Sequence, residues 1–284
     1  MKIPKRIQPL VEDGLVDEVL GRLMSGKEAD VYVVRCGDEV RCAKVYKEAS
    51  KRNFKKAVQY TEGRKVRNSR RARAMEKGSK FGRKEQEKIW QNAEVDALYL
   101  LADAGIRVPE PYGCLDGVLL MELITDAEGD VAPRLGDIEM TEEQAIRNFA
   151  IIMQDIVRML CVGIVHGDLS EFNVLLDDFG PVIIDLPQAV NAAANNNAKA
   201  ILERDIENMI NYFSRFDPYL KGSKFAQEIW KLYEDGELKP DTILTGEFEE
   251  NATKADVDSV MLEIQSAYEE EQRRLERLKE AAQE

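Results

Sequence analysis

Residues 165–176 read VHGDLSEFNVLL, and residues 182–185 read VIID. The two segments contain Asp168, then Asn173 five residues later, and then Asp185 at the end of an apolar run. Phosphoryl transfer from ATP uses one acid to orient the acceptor hydroxyl, and an amide and a second acid to hold magnesium through oxygen atoms. Because Asp and Asn are also common in ordinary turns, these segments favour an ATP-dependent phosphotransferase but leave a purely structural role open.

The composition indicates a globular protein with a sizeable core. The chain has 284 residues, of which 44% are hydrophobic, and this length suits one large or two small lobes. No apolar run approaches the roughly 20 residues of a membrane span, and no apolar stretch like that of a signal peptide follows Met1. We therefore expect a cytoplasmic protein without a membrane partner.

The cysteines and the histidine exclude several kinds of site. The four cysteines form no CxxC pair, which is typical of buried thiols in a reducing compartment. The chain has one histidine, His166, and this excludes metal sites built from several histidines. A Ser/His/Asp hydrolase is disfavoured, because His166 would have to act as the base while it sits beside Asp168. We expect His166 to bond to the backbone of its turn and to hold the loop in shape.

A basic block interrupts an otherwise acidic chain. The net charge is −13, yet residues 47–84 contain 15 lysines and arginines and only three acids. This asymmetry predicts a basic, flexible loop on an acidic body. With Phe54, Tyr60 and Phe81, the block could contact phosphates and stack on bases, so RNA or a ribosomal particle is one expected partner. The alternative is a solvated loop without a partner.

The first strands and the helix after the basic block each place one charge on an apolar face. Residues 21–46 read as strands, and Lys44 alternates with mostly apolar neighbours on one face. Residues 85–104 read as a helix, in which Glu94 lies on the apolar stripe. An unpaired buried charge is costly, so we expect Lys44 and Glu94 to pair. The alternative for Glu94 is a position at the edge of the stripe, from which it reaches water.

The rest of the chain is predicted to be mostly helical. Residues 118–124 form an apolar run and predict a buried strand. Residues 141–144 read TEEQ, a capping box that opens a long amphipathic helix. A further amphipathic helix is predicted over residues 202–216, and residues 251–284 predict a charged C-terminal helix.

A candidate phosphate loop lies between the first two predicted strands, where residues 24–32 read MSGKEADVY. An amide-rich turn at Ser25, Gly26 and Lys27 could cradle phosphates, and Lys27 would add positive charge. The turn has a single glycine, so it is neither a Walker A sequence nor the usual glycine-rich loop of kinases. An ordinary hairpin turn is the alternative.

Together these motifs resemble the RIO family of atypical serine protein kinases. The resemblance runs from about residue 20 to about residue 216 and involves ordered segments: a phosphate loop (25–32), a lysine strand (42–46), a regulatory helix and connector (90–111), a catalytic loop (166–173), a metal loop (184–189) and a following helix (204–208). Since no winged-helix segment precedes these motifs, the chain resembles the first RIO subfamily rather than the second.

The resemblance implies an α+β, two-lobed protein-kinase-like fold with a small β-rich N-lobe and a mostly helical C-lobe. The expected domains are an N-terminal extension (1–20), the N-lobe (21–124) with the basic flexible loop 47–84, the C-lobe (125–250) and a charged C-terminal helix (251–284). RIO proteins lack the activation segment of ordinary kinases, and this chain agrees, since the next predicted helix follows Asp185 closely.

The resemblance also implies a role for each matching site residue. Asp168, Asp185 and Lys44 are the expected catalytic residues, and Asn173 and Asp185 are expected to bind the metal. Lys44 would bind ATP phosphates beside Glu94, and the other expected nucleotide contacts are Ser25, Gly26, Lys27, Glu122 and Ile124. The implied cofactors are ATP and Mg²⁺, with Mn²⁺ as an alternative.

We expect an ATP- and Mg²⁺-dependent protein serine/threonine kinase that phosphorylates itself, with Ser69 and Ser79 as candidate acceptors. An ATPase switch is a compatible role, with an aspartyl phosphate on Asp185 as its candidate intermediate. One alternative is a small-molecule kinase of the aminoglycoside or choline type, which shares the His-Gly-Asp loop but commonly has a second histidine where this chain has Ser170. The other alternative is a nucleotide-gated module that binds RNA or a ribosome.

Overall fold

The computed structural model describes residues 3–26, 28–47 and 93–248. Several expectations fall outside these ranges: those on Lys27, Trp90, Ser69, Ser79, residues 48–84 and residues 251–284. They stay predictions, and so does the contact with RNA. The described residues up to Glu247 belong to one compact unit.

Five antiparallel strands form the N-terminal sheet. They are β1 (Glu18–Ser25), β2 (Ala29–Cys36), β3 (Glu39–Tyr46), β4 (Pro111–Leu115) and β5 (Val118–Glu122). Their order is β1–β2–β3–β5–β4, so β3 is the central strand, and its pairing with β5 sets Lys44 opposite Leu119. The valine- and tyrosine-rich sequences of β2 and β3 suit a pleated, buried surface. The strands predicted over residues 21–46 are confirmed.

A short helix, α1 (Gln8–Glu12), precedes the sheet and packs onto it. Ile7 and Leu10 are fully buried in one apolar cluster with residues of β2, β3 and β5. Burial of an Ile or Leu side chain stabilises a fold by roughly 1.5–3 kcal/mol, so this segment contributes to the stability of the N-lobe. The proposed boundary of the N-terminal extension at residue 20 falls inside β1.

Helix α2 is described over residues 93–103. Leu98 and Leu101 are buried in a cluster that also contains residues of β3 and β5. Glu94 is only 1% exposed, so it lies on the buried stripe and not at an edge that reaches water. Gly105 has a φ of +72°, the left-handed conformation that glycine adopts readily after a helix, and the chain leaves the helix there as predicted.

The longest described helix, α3 (Glu142–Cys161), begins at the predicted capping box. The Gln144 N–H donates to Thr141 Oγ1 at 3.2 Å, and the Thr141 N–H donates to Gln144 Oε1 at 2.9 Å, so the box is confirmed. Phe149 packs edge-on against two phenylalanines of later helices, each with ring centroids 5.5 Å away. Helix α3 thereby joins the helical part of the C-lobe into one core.

Helix α4 (Ala198–Phe213) begins four residues earlier and ends three residues earlier than the predicted range 202–216. The run of alanine and asparagine before it folds into turns, in which Asn191 and Asn195 accept hydrogen bonds from nearby backbone N–H groups. Such side-chain bonds compete with helix formation. The turns thus keep the helix from starting before Ala198, and it starts earlier than Leu202 because Ala and Lys favour helix and Ala198 is buried.

The other C-lobe elements are short: β6 (Ile164–Val165), β7 (Val174–Asp177), β8 (Gly180–Ile183), β9 (Val190–Asn191), α5 (Phe225–Glu234) and two 3₁₀ turns (Leu135–Asp137 and Pro218–Leu220). Strand β7 pairs with β8 and β6 with β9, both antiparallel. The predicted α+β fold, with a β-rich N-lobe and a mostly helical C-lobe, is confirmed. Within the described ranges, no helix has both the length and the apolar character needed to cross a membrane.

Candidate active site

A cavity of about 750 Å³ lies between the N-terminal sheet and the C-lobe, within the size range of ligand pockets. Its wall brings together most of the residues predicted for the site: Gly26, Lys44, Glu122, Ile124, Asp168, Asn173 and Asp185. Ser25 and Glu94 are not part of this wall. Ser25 is hydrogen-bonded to Asp30 and Lys47, and Glu94 reaches the site through its contact with Lys44.

Lys44 of β3 is held between two carboxylates. Its Nζ lies 2.5 Å from Glu94 Oε1 and 2.6 Å from Asp185 Oδ1, so the pair expected with Glu94 is present. Burial alone lowers the pKa of Lys44, but attraction to Glu94 and Asp185 outweighs burial and raises that pKa above its ordinary value. The lysine therefore keeps its positive charge in the cavity wall at neutral pH.

Tyr46, two residues further along β3, binds the second oxygen of Glu94. The Tyr46 hydroxyl donates to Glu94 Oε2 at 2.5 Å, and both side chains are buried. Both oxygens of Glu94 thus have a donor, as a buried carboxylate requires. Sequence reasoning assigned no role to Tyr46. The available signal is its position on the same face of β3 as Lys44, set by the period-two alternation of the strand.

Asp168 lies in the catalytic loop between β6 and β7. Its Oδ2 accepts a hydrogen bond from Gln188 Nε2 at 3.0 Å, and its main-chain carbonyl accepts one from Asn173 Nδ2 at 2.8 Å. The side chain of Asp168 is therefore oriented by a residue of the predicted metal loop. Sequence reasoning missed this function of Gln188, since no residue pattern distinguishes it from an ordinary loop glutamine.

Gly167 lets the catalytic loop approach the predicted metal loop closely. Its φ is +90°, a left-handed conformation that residues with side chains rarely adopt. A Cβ atom at this position would lie 2.2 Å from the carbonyl oxygen of Gln188. The backbone path at this point therefore requires glycine.

His166 holds the loop in shape, as predicted. Its Nδ1 accepts a hydrogen bond from the Asp168 N–H at 3.2 Å, and its Nε2 lies 3.0 Å from the Ile184 carbonyl oxygen. Because a carbonyl oxygen can only accept, Nε2 carries the proton and donates it. The ring therefore connects the backbone of the catalytic loop to the residue that follows β8.

Helix α4 supports the same loop through its polar side chains. Asp205 accepts hydrogen bonds from the Gly167 N–H at 2.7 Å and from the Leu169 N–H at 3.3 Å. Asn208 donates to the Leu169 carbonyl at 2.9 Å. Burial raises the pKa of Asp205, although neighbouring positive charge and the loop N–H groups oppose the change. The sequence placed both residues in a family motif but did not reveal that they hold the loop backbone.

Asn173 and Asp185 are the residues that could hold a metal ion. Both line the cavity together with Asp168, and amide and carboxylate oxygens are the donors that Mg²⁺ prefers. The Ile184 N–H donates to the Asn173 carbonyl at 3.0 Å, which joins the two segments that carry these side chains. Asp185 has a φ of +68°, an uncommon backbone conformation for a residue with a side chain and one that clusters at functional sites.

The end of β5 and the two residues after it, residues 121–124, form another part of the cavity wall. The Ile124 carbonyl accepts a hydrogen bond from the Ala132 N–H at 3.0 Å, whereas the Ile124 N–H donates to no other group of the described ranges. Apolar side chains from both lobes, including Val31 and Leu175, lie in the same wall. A backbone donor beside apolar side chains suits a flat heteroaromatic ring.

Comparison with known proteins identifies the family. A family model of the RIO domain matches residues 30–226. The RIO-type serine/threonine-protein kinase Rio1 of Haloferax volcanii is 33% identical over 210 residues, which span 74% of this chain and 68% of that protein. The human serine/threonine-protein kinase RIO1 is 32% identical over 205 residues, which span 71% of this chain and 34% of that protein. In the relative from Schizosaccharomyces pombe, the matched part is 40% of the protein.

A solved structure with a similar fold is the Rio2 kinase–ADP/Mg²⁺–phosphoaspartate complex from Chaetomium thermophilum. It aligns with a TM-score of 0.58 and 21% identity, and the alignment covers 83% of this chain and 68% of that one. The alignment supports the two-lobed kinase fold, and the family match adds the sequence relationship over most of the chain. The chain therefore belongs to the RIO family of serine/threonine-protein kinases.

Proposed function

We propose that this chain uses ATP and Mg²⁺ to phosphorylate serine or threonine hydroxyl groups, including its own. The observation that carries the proposal is the cavity in which Lys44, charged and held by Glu94, shares one wall with Asp168, Asn173 and Asp185. Phosphoryl transfer depends mainly on positioning and on stabilisation of charge, and these residues supply both. The named activity of the relatives supports the same conclusion.

The side chains of the cavity divide the work of the reaction. Lys44 binds phosphate oxygens of ATP, while the backbone at Glu122 and Ile124 binds the adenine ring. Asp168 orients the acceptor hydroxyl and takes its proton as the oxygen attacks the γ-phosphorus, and the bond from that phosphorus to the bridging oxygen breaks to release ADP. Gln188 donates to one oxygen of Asp168 and so keeps the carboxylate in a single orientation.

Asn173 and Asp185 would hold Mg²⁺, which neutralises phosphate charge when it is bound. Lys44 keeps Glu94 as a partner when Asp185 turns to another cation, because the two carboxylates contact Nζ from separate segments. The lysine therefore stays in place whether or not Asp185 remains bonded to it. This arrangement lets Asp185 change partners without loss of the phosphate-binding charge.

ATP hydrolysis through an aspartyl phosphate is a second reaction that the same site could perform. The Rio2 complex named above contains ADP, Mg²⁺ and phosphoaspartate, and here Asp185 lines the cavity beside Lys44. An Asp185 carboxylate oxygen would attack the γ-phosphorus, the bond to the bridging oxygen would break, and ADP would leave. Water would then cleave the acyl phosphate, releasing inorganic phosphate and restoring the carboxylate. Such a cycle would make the chain an ATPase switch.

Turnover of labelled ATP with Mg²⁺ tests these proposals together. Free phosphate, phosphoserine and acid-labile acyl phosphate are measured for the wild type, Asp168→Asn and Asp185→Asn. We expect phosphoserine in the wild type and a loss of about 10²- to 10⁴-fold in Asp168→Asn, because the acceptor loses its base. Asp178→Asn removes an exposed carboxylate outside the cavity wall and is the matched control.

One outcome would contradict the role of Asp168, and another would contradict the protein-kinase proposal itself. Full serine phosphorylation by Asp168→Asn would show that this residue is not the base. Transfer of phosphate to an aminoglycoside or choline, with none to protein, would favour a small-molecule kinase. Acyl phosphate that disappears in Asp185→Asn would support the ATPase cycle.

A further inference from the structure

Arg134 is a cation of the cavity wall to which the proposed reaction assigns no role. Its backbone pairs with Leu175 of β7 in an isolated β-bridge. Its carbonyl accepts a hydrogen bond from the Asp137 N–H at 3.0 Å, at the 3₁₀ turn Leu135–Asp137. Leu175 itself lines the cavity, so the base of the Arg134 side chain is fixed on the C-lobe side of the site.

The guanidinium of Arg134 reaches the N-lobe side of the same cavity. Its Nη2 lies 2.7 Å from Met24 Sδ in β1, just before the phosphate turn at Ser25 and Gly26. A thioether sulfur is a weak acceptor, whereas a guanidinium carries five N–H donors. Within the described ranges, no carboxylate forms a hydrogen bond or an ion pair with the Arg134 guanidinium. The hydrogen bond that the guanidinium makes within the described ranges thus goes to a sulfur atom.

Arg134 is one of two cations in a described cavity wall that also carries five carboxylates, those of Glu28, Glu122, Asp137, Asp168 and Asp185. Lys44, the other described cation of the wall, is already paired with Glu94 and Asp185. Burial raises the pKa of Asp185, but Lys44 and, more weakly, His166 and Arg134 bring that pKa below its ordinary value. The positive charge of Arg134 therefore acts on the part of the cavity that holds Asp185. Guanidinium groups bind phosphate oxygens through paired, charge-assisted hydrogen bonds.

We infer that Arg134 is a nucleotide-binding residue that exchanges its contact with Met24 for the phosphate oxygens of a nucleoside di- or triphosphate. The inference rests on the proposed function, since it takes ATP as the ligand of the cavity. Arg134 is anchored on one lobe and touches the other, so the phosphate chain enters between the guanidinium and β1. Together with Lys44, this side chain consequently distinguishes a phosphorylated nucleotide from a nucleoside.

Calorimetric titration of the full chain with ADP and with adenosine tests the inference. We expect Arg134→Ala to weaken ADP binding about tenfold or more, the size expected for a hydrogen bond to a charged group, with adenosine binding unchanged. Arg134→Lys should lose less, because lysine keeps the charge but lacks the planar pair of donors. Arg147→Ala removes an exposed arginine of α3 and is the matched control.

The contrary outcomes are distinct from one another. Wild-type affinity of Arg134→Ala for ADP overturns the inference and leaves the proposed function intact. An equal loss for ADP and adenosine also overturns it, since the side chain would then act on the base, the ribose or the fold. Met24→Leu removes the sulfur but keeps the cation, and a loss equal to that of Arg134→Ala would instead assign Arg134 to a bridge between the lobes. A wild type that binds neither ADP nor ATP would overturn the proposed function and the inference together.

Discussion

The two walls of the cavity are held by different interactions. On the N-lobe side, Lys44, Glu94 and Tyr46 bind one another through charge and hydrogen bonds between side chains of β3 and α2. On the C-lobe side, His166 and Asp205 hold the catalytic loop through its backbone N–H groups. The first wall depends on opposite charges brought together by tertiary packing, whereas the second depends on the path of one loop. Removal of a charged side chain should therefore destabilise the N-lobe side most. An added side-chain atom in the catalytic loop should disturb the C-lobe side most.

Glu94→Ala is expected to have the largest effect on stability. The change leaves the buried Lys44 with one carboxylate and the Tyr46 hydroxyl without its acceptor. Breaking a buried pair by removing one partner costs about 3 kcal/mol or more of unfolding free energy, which urea denaturation would measure. Glu94→Gln keeps the shape and separates charge from hydrogen bonding. If Glu94→Ala lost only about 1 kcal/mol of unfolding free energy, the size of a surface pair, the view that charge holds this wall would be contradicted.

Asp155 of α3 differs from Glu94, because it is a buried acid with incomplete partners. Its Oδ1 lies 3.1 Å from Arg158 Nη1, while its buried Oδ2 accepts no hydrogen bond within the described ranges. Burial raises the pKa of Asp155 to about 6, although Arg158 opposes the change. The folded chain thus binds this proton more tightly than the unfolded chain. The contribution of Asp155 to stability is therefore greatest at low pH and is lost as the pH rises through about 6.

Asp155→Asn should remove this dependence on pH. At about pH 8 we expect the variant to be more stable than the wild type by up to about 3 kcal/mol, and at about pH 4 the two should be nearly equal. Urea denaturation at several pH values measures the difference, and Asp178→Asn, at an exposed position, is the control. If the difference in unfolding free energy between Asp155→Asn and the wild type did not change with pH, burial would not be raising the pKa of Asp155.

Gly167→Ala tests whether the second wall depends on the path of the loop. A comparable change is available at Gly163, where φ is +80° but the nearest atom to an added Cβ lies 3.7 Å away. Both variants carry the backbone strain of a left-handed alanine, about 1 kcal/mol, and only Gly167→Ala adds an overlap with the Gln188 carbonyl. We expect about 10²-fold lower phosphorylation activity for Gly167→Ala alone, because Asp168 is displaced. Equal losses in both variants would make strain, and not the close approach, the cause.

Tyr46→Phe should have the smallest effect. It removes one hydrogen bond to a buried carboxylate while Lys44 keeps its contact with Glu94, so a loss of about 1–2 kcal/mol of unfolding free energy is expected. The turnover number should fall with little change in the KM for ATP, because the hydroxyl acts through Glu94 and not on the nucleotide. Tyr99→Phe, at an exposed position of α2, is the control. Equal effects of Tyr46→Phe and Tyr99→Phe would show that the Tyr46 hydroxyl does not help to hold Glu94 and Lys44 in place.

The parts of the molecule predicted best are those in which one residue conflicts with its local pattern. Lys44 and Glu94 are charges on apolar faces, and their contact follows from the cost of burying either one alone. The capping box at Thr141 is a short-range signal that needs no tertiary information. The resemblance to a family supplied the two-lobed fold, since periodicity alone does not fix how a sheet and helices are arranged.

The parts that were missed depend on contacts between distant segments. Gln188 and Arg134 are polar residues in loops, and only the folded chain brings them to Asp168 and Met24. The start of α4 was predicted too late, because the apolar pattern was followed only from Leu202, although the helix-favouring residues 198–201 already belong to the helix. At Gln188 and Arg134, tertiary placement decides the contact, and the local pattern carries no signal for it.

The thiol of Cys42 gives the cavity a particular chemical character. Cys42 lines the cavity two residues before Lys44, yet burial raises the pKa of its thiol to about 12, even though Lys44 acts in the opposite direction. Alkylating groups react with the thiolate and not with the thiol. At physiological pH an acrylamide or chloroacetamide carried into the cavity by a nucleotide mimic would find a sulfur that remains protonated. Covalent capture at Cys42 should therefore be slow, and inhibitors of this site should gain more from shape and charge.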